Sequence, residues 1–237
     1  MYTHLPERSS LIKAVLFDLD GTLFDRTTSV TAGLHRQYAR FAEPLQATPQ
    51  ADFVTRFLAL EERGYVKKTL VYPQLAQEFG WPPALAQTLC DDYYARYHDE
   101  CIGFPGLTQM LADLRDLGLK LGLVTNGWER TQRGVIQALA IEPFFDAILI
   151  SETEGVRKPA VHIFERALER VGVNARHALF VGDHPVNDID GAQQAGLRTV
   201  WMRDVYWGDC PQAEWCIDCL PELTALCGTL CAQTESQ

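Results

Sequence analysis

A chain of 237 residues with 47% hydrophobic and 22% charged side chains has the composition of a folded globular protein, long enough for one large core or two modest ones. Its formal net charge of −10 argues against nucleic acid or an anionic membrane as partner, and any anionic substrate must meet a local cation or a metal. No apolar segment approaches the ~20 residues of a membrane helix, and Met1 to Ser10 is polar where a secretory signal would be apolar, so a cytoplasmic location is expected.

The first element is Ala14 to Phe17, a continuous apolar run of the kind found in parallel strands covered on both faces. It ends in Asp18-Leu19-Asp20-Gly21, which taken alone reads equally well as a turn. The pattern then turns helical. Val30, Leu34, Tyr38 and Phe41 recur every three or four residues; Phe53, Phe57 and Leu60 make a second stripe. Leu70, Leu75 and Phe79 predict a third, shorter helix around Pro73, and Leu85, Leu89, Tyr93 and Tyr97 a fourth, opened by Pro82-Pro83. This block, 27–103, reads as a helical domain inserted into a discontinuous α/β core formed by 1–26 and 104–237.

The breaker cluster Gly103-Phe104-Pro105-Gly106 returns the chain to alternating helices and strands. A helix from Leu107 to Leu117 is followed by strands at 119–124, 147–150, 178–181 and 198–202. Helices at 131–140, 159–171 and 189–195 lie between them, and a last helix spans 220–231. Alternating strands and helices imply right-handed crossovers and a doubly wound parallel sheet. The seven cysteines, five of them from Cys210 onward, form no paired zinc motif: Cys216 and Cys219 make one C-x-x-C, whereas Cys227 and Cys231 are spaced as a helix face. Reduced thiols are expected.

The strand tips carry the chemistry. Asp18 and Asp20 follow the first strand, Thr125-Asn126-Gly127 the second, Lys158 the third, and Asp183 with Asp188 the fourth. In open α/β sheets ligands bind beyond the carboxyl ends of the strands, so these residues are expected to converge. Close carboxylates resist ionising together, and a hard divalent cation such as Mg²⁺ resolves the conflict. The Lys158 ammonium, the Thr125 hydroxyl and the Asn126 amide suit phosphoryl oxygens; one carboxylate can attack phosphorus while another handles protons.

Asp18-Leu19-Asp20-Gly21-Thr22-Leu23, Thr125-Asn126-Gly127, Lys158-Pro159 and Gly182-Asp183 with Asp188 together resemble the four motifs of the haloacid dehalogenase-like superfamily, in order, over nearly the whole chain. The inserted helices are similar to the cap of its phosphoglycolate phosphatase-like and β-phosphoglucomutase-like branch. The resemblance implies a Rossmann-like core with a helical cap and a Mg²⁺-dependent phosphatase that acts on a small phosphomonoester through an aspartyl phosphate. It further implies Asp18 as nucleophile, Asp20 as acid/base with its main-chain carbonyl toward the metal, and Thr125, Asn126 and Lys158 at the phosphoryl group. Asp18, Asp20, Asp183 and Asp188 are then the metal-site residues. His184 departs from the usual small hydroxyl residue and is expected to be a loop residue.

Four alternatives stand beside this reading. A phosphomutase needs the same two aspartates. A 2-haloacid dehalogenase lacks the second acid, so Asp20 argues against it. A phosphonatase needs a cap lysine, for which Lys67 and Lys68 qualify by composition alone. A non-catalytic interaction module can share the fold, since fold does not fix function. The cap aromatics, among them Tyr38, Phe53, Tyr65, Trp81 and Tyr94, are expected to be mostly core.

Overall fold

A computed structural model describes residues 12–232; Met1 to Ser10 lies outside the described residues. The chain forms two compact units, one from Asp25 to Ile102 and the other from the flanking segments up to Phe24 and from Gly103 onward.

The larger unit is built on a six-stranded, wholly parallel sheet: β1 (Ala14–Phe17), β2 (Lys120–Thr125), β3 (Ala147–Ile150), β4 (Ala178–Gly182), β5 (Arg198–Met202) and β6 (Trp215–Ile217). The strand order β3-β2-β1-β4-β5-β6 places β1 between β2 and β4, where the winding reverses. Phe17 pairs with Leu123 on one side and with Val181 on the other. Every residue of β1 and β4 is buried, as the unbroken apolar runs require of strands covered on both faces. Ile163, Phe164, Ala167 and Leu168 of the helix Val161–Val171 pack on one face, with Leu16, Leu149 and Phe180. The sheet has one strand more than the sequence pattern predicts. The three residues of β6 are too short to show a period of two, and Cys216 at its centre is exposed.

The smaller unit is all helical: α1 (Arg26–Arg40), α2 (Gln50–Glu61), α3 (Lys68–Phe79) and α4 (Pro83–Arg96). The Asp25 side chain caps α1 by accepting the backbone N–H of Thr28 at 3.0 Å, and Pro83 opens α4 at its first turn. Phe53, Phe57, Tyr72, Leu75 and Leu89 form its centre. Two expectations about α3 are corrected. It runs twelve residues, no shorter than α2: Pro73, its sixth residue, removes one backbone donor without ending the helix. Leu70 is 63% exposed, and the buried stripe is Val71, Tyr72, Leu75 and Ala76.

All seven cysteines carry free thiols. None of the described helices is long and apolar enough to cross a membrane.

Candidate active site

The site lies at the carboxyl edge of the sheet, where β1 and β4 adjoin. The backbone N–H of Asp18 continues the ladder to the Val181 carbonyl at 2.9 Å, so the first residue past β1 is held as firmly as the strand itself. Asp18 is 6% exposed. Its Oδ1 accepts from Lys158 Nζ at 2.6 Å, and its Oδ2 from the Thr22 hydroxyl at 3.2 Å. Lys158 is buried, and the same ammonium donates to Asp188 Oδ1 at 2.6 Å. Asp188 Oδ2 in turn accepts the backbone N–H of His184 at 3.0 Å. Asp183, one residue beyond β4, completes a buried trio: Asp18, Asp183 and Asp188 each bring a carboxylate oxygen within 4.8 Å of the others.

The charge balance follows. Burial raises the Asp18 carboxyl most, and the negative charge of Asp188 adds to it; Lys158 opposes both, and the net result is about 6. Burial alone would lower the Lys158 ammonium, but the charges and hydrogen bonds of Asp18 and Asp188 outweigh it and raise it. The two shifts share a cause. Several carboxylates share one ammonium, so the lysine is over-compensated and the aspartate under-compensated.

An oxygen-only donor set with surplus negative charge fits a hard divalent cation. The backbone also makes room for the Asp183 carboxylate. At Gly21, where φ is +88°, a Cβ would lie 2.7 Å from Asp183 Oδ2, so any other residue would crowd the carboxylate.

Two further site residues are held by partners outside the trio. Asn126, expected at the phosphoryl group, is engaged with the Lys158 backbone. Its Oδ1 accepts the backbone N–H of Lys158 at 2.9 Å and its Nδ2 donates to the Lys158 carbonyl at 3.0 Å, so the side chain is a clamp that fixes the lysine. The Asp20 carboxylate stands outside the trio and is held by Gln132, whose Nε2 donates to Asp20 Oδ2 at 2.6 Å and to Thr125 Oγ1 at 2.6 Å. Thr125, the last residue of β2, is fully buried. His184 caps the helical turn Pro185–Asp190, its Nδ1 accepting the backbone N–H groups of Val186 and Asn187, each at 3.1 Å; this turn begins four residues earlier than the 189–195 helix predicted.

Sequence reasoning missed Gln132 and two tryptophans. Trp207 Nε1 donates to Asp183 Oδ2 at 3.0 Å, and Trp201 Nε1 to the Asp183 carbonyl at 2.7 Å. No motif spacing points to either tryptophan. For Gln132 the one available signal is its position, one polar residue on an otherwise apolar helix face with Val135 and Ile136.

The sequence model of the haloacid dehalogenase-like hydrolases matches residues 15–202. The glyceraldehyde 3-phosphate phosphatase of Pyrococcus abyssi is 34% identical over 210 residues, covering 81% of this chain and 82% of its own. The phosphoglycolate phosphatase of Caulobacter vibrioides is 35% identical over 190 residues, covering 78% and 77% respectively. Among solved structures, the HAD-hydrolase YfnB of Bacillus subtilis bound to magnesium superposes with a TM-score of 0.73 at 26% identity, over 92% of this chain and 100% of its own.

Proposed function

The chain belongs to the haloacid dehalogenase-like hydrolases and is a phosphatase of that family, and from this premise we propose how its own residues divide the work. Asp18 is the nucleophile, Asp20 the general acid and base, Thr125 and Lys158 the phosphoryl-binding pair. Asp18, Asp183 and Asp188, with the main-chain carbonyl of Asp20, hold Mg²⁺. The helical unit from Asp25 to Ile102 is the cap. The observation that carries this reading is the buried Asp18–Lys158–Asp188 chain with Asp183 beside it, two residues from a second acid outside the trio.

The reaction proceeds in two halves. A carboxylate oxygen of Asp18 attacks phosphorus, the ester P–O bond breaks, and Asp20 gives its proton to the departing alkoxide. Asp20, now a carboxylate, takes a proton from water; the water oxygen attacks phosphorus, and Asp18 is regenerated as inorganic phosphate leaves. Lys158 stays charged throughout and stands against the equatorial oxygens. The Lys158 ammonium bonded to Asp18 Oδ1 favours the ionised carboxylate that a nucleophile must be. When bound, Mg²⁺ supplies Lewis-acid stabilisation of phosphoryl charge and neutralises the surplus carboxylates. Asp20 disfavours the dehalogenase alternative, in which no alkoxide needs a proton.

The substrate is a small phosphomonoester, in keeping with relatives named for glyceraldehyde 3-phosphate and phosphoglycolate. A panel of phosphate metabolites assayed with Mg²⁺ and with chelator tests this. Phosphate release from short-chain esters that stops in chelator is expected. Full activity in chelator, or halide release from a 2-haloacid, would overturn it.

A further inference from the structure

The Gln132 amide spends both its hydrogens inside the site, one on Asp20 Oδ2 and one on Thr125 Oγ1, each at 2.6 Å. Gln132 is 3% exposed and Thr125 fully buried, so water does not compete for the Thr125 bond. Gln132 lies on the helix Glu129–Ala138. The approach is tight: a Cβ at Gly127 would stand 2.8 Å from Gln132 Cγ and Cδ, so the glycine leaves space for this side chain alone.

From this arrangement we infer that Gln132 is a positioning residue that orients the proton-transferring carboxyl of Asp20 and the hydroxyl of Thr125 together. The inference rests on the reading of Asp20 as general acid. An amide N–H donor at Oδ2 makes that oxygen an acceptor and assigns the transferable proton to Oδ1. A second N–H donor at Thr125 Oγ1 occupies a lone pair, so the hydroxyl's own proton is directed outward as a donor toward a phosphoryl oxygen. One planar group thereby couples the two strand ends, Asp20 past β1 and Thr125 at the end of β2, within the angular tolerance that proton transfer demands.

The consequence is selective. Loss of the amide loosens Asp20, and this matters most where the leaving group needs a proton. Gln132→Met removes both donors at nearly constant volume. Under single-turnover conditions, with rapid quench and Mg²⁺ present, alcohol release from phosphoglycolate is expected to slow roughly 30-fold, and phenol release from p-nitrophenyl phosphate less than about 5-fold. Gln132→Asn, which keeps the amide but shortens its reach, is expected to show the same selectivity and serves if the methionine variant does not fold. In an Asp20→Asn background the Gln132 substitution is expected to add less than about 5-fold, alike on both esters, because its Asp20 target is gone and only the Thr125 bond remains.

A merely structural role would slow both esters alike and would add to Asp20→Asn. Equal loss on the two esters, no loss on either, or full additivity overturns the inference while leaving Asp20 in place. If Asp20→Asn itself slows both esters equally, the general-acid reading of Asp20 falls, and the inference about Gln132 falls with it.

Discussion

The two units each bury a cluster of charge, and the imbalances have opposite sign. In the sheet unit one ammonium, Lys158, stands among Asp18, Asp183 and Asp188. In the helical unit one carboxylate, Glu61, stands between two cations. Arg26 Nη1 and Nη2 donate to Glu61 Oε1 and Oε2, each at 2.6 Å, and Lys68 Nζ lies 2.6 Å from Oε2. Burial pushes the Glu61 carboxyl up, but Arg26 and Lys68 together outweigh it and hold it below the usual carboxylate range. Burial lowers Lys68, which shares Glu61 with Arg26 and gains too little from it to recover. Asp18 moves in the opposite direction to Glu61. Both are buried carboxylates bonded to a cation, and burial raises both; at Glu61 two cations overcome it, whereas at Asp18 one lysine shared with Asp188 does not. An anion-rich cluster is poised to take up a cation and do chemistry. The cation-rich cluster joins α1, α2 and α3 of its unit through one shared acid.

The sharpest way to break this comparison is to neutralise one carboxylate in each cluster. Asp18→Asn should lower phosphatase turnover at least ~10³-fold while leaving the fold intact. In chelator its melting temperature should match or exceed that of wild type, because a surplus buried charge has been removed. A large drop in melting temperature would show that the Asp18 charge is structural after all.

Mg²⁺ should raise the melting temperature of the wild-type protein by mass action on the folded state. Asp183→Asn should diminish that shift, whereas Glu61→Gln should leave it unchanged. Equal Mg²⁺ shifts in wild type and Asp183→Asn would remove Asp183 from the metal site.

Glu61→Gln strands two cations in a buried setting and should cost about 3 kcal/mol of stability, read by denaturant or thermal unfolding. A cost below about 1 kcal/mol, typical of an exposed pair, would show that the triad is not the keystone its geometry suggests.

The smallest effect is in pH. A carboxyl whose folded pKa lies below its unfolded one stabilises the fold above the unfolded value, near 4.5 for Glu61, and loses that contribution as pH falls through the folded value. Acid below about pH 4.5 should therefore destabilise the helical unit of the wild type more than that of Glu61→Gln. Parallel acid-unfolding curves for the two would contradict the assignment.

The amino-acid sequence by itself determined the parallel core and the four-helix insertion. Buried parallel strands must be apolar throughout, as Ala14–Phe17 and Ala178–Val181 are, and an amphipathic helix must repeat every three to four residues, as Phe53 and Phe57 do. It also determined the convergence of Asp18, Lys158, Asp183 and Asp188, since strand ends in a doubly wound sheet meet at the switch point between β1 and β4. Short-range pattern could not decide what a side chain does once it arrives. Asn126 turns to the Lys158 backbone, Gln132 reaches across from the helix Glu129–Ala138 to Asp20, and Trp207 meets Asp183 from a loop 24 positions on. Nor could it show that Arg26, Glu61 and Lys68, each an ordinary surface residue by type, close into a buried triad. Most of those partnerships span 24 to 112 positions of chain, and only the packed tertiary structure selects among the polar groups available at each place.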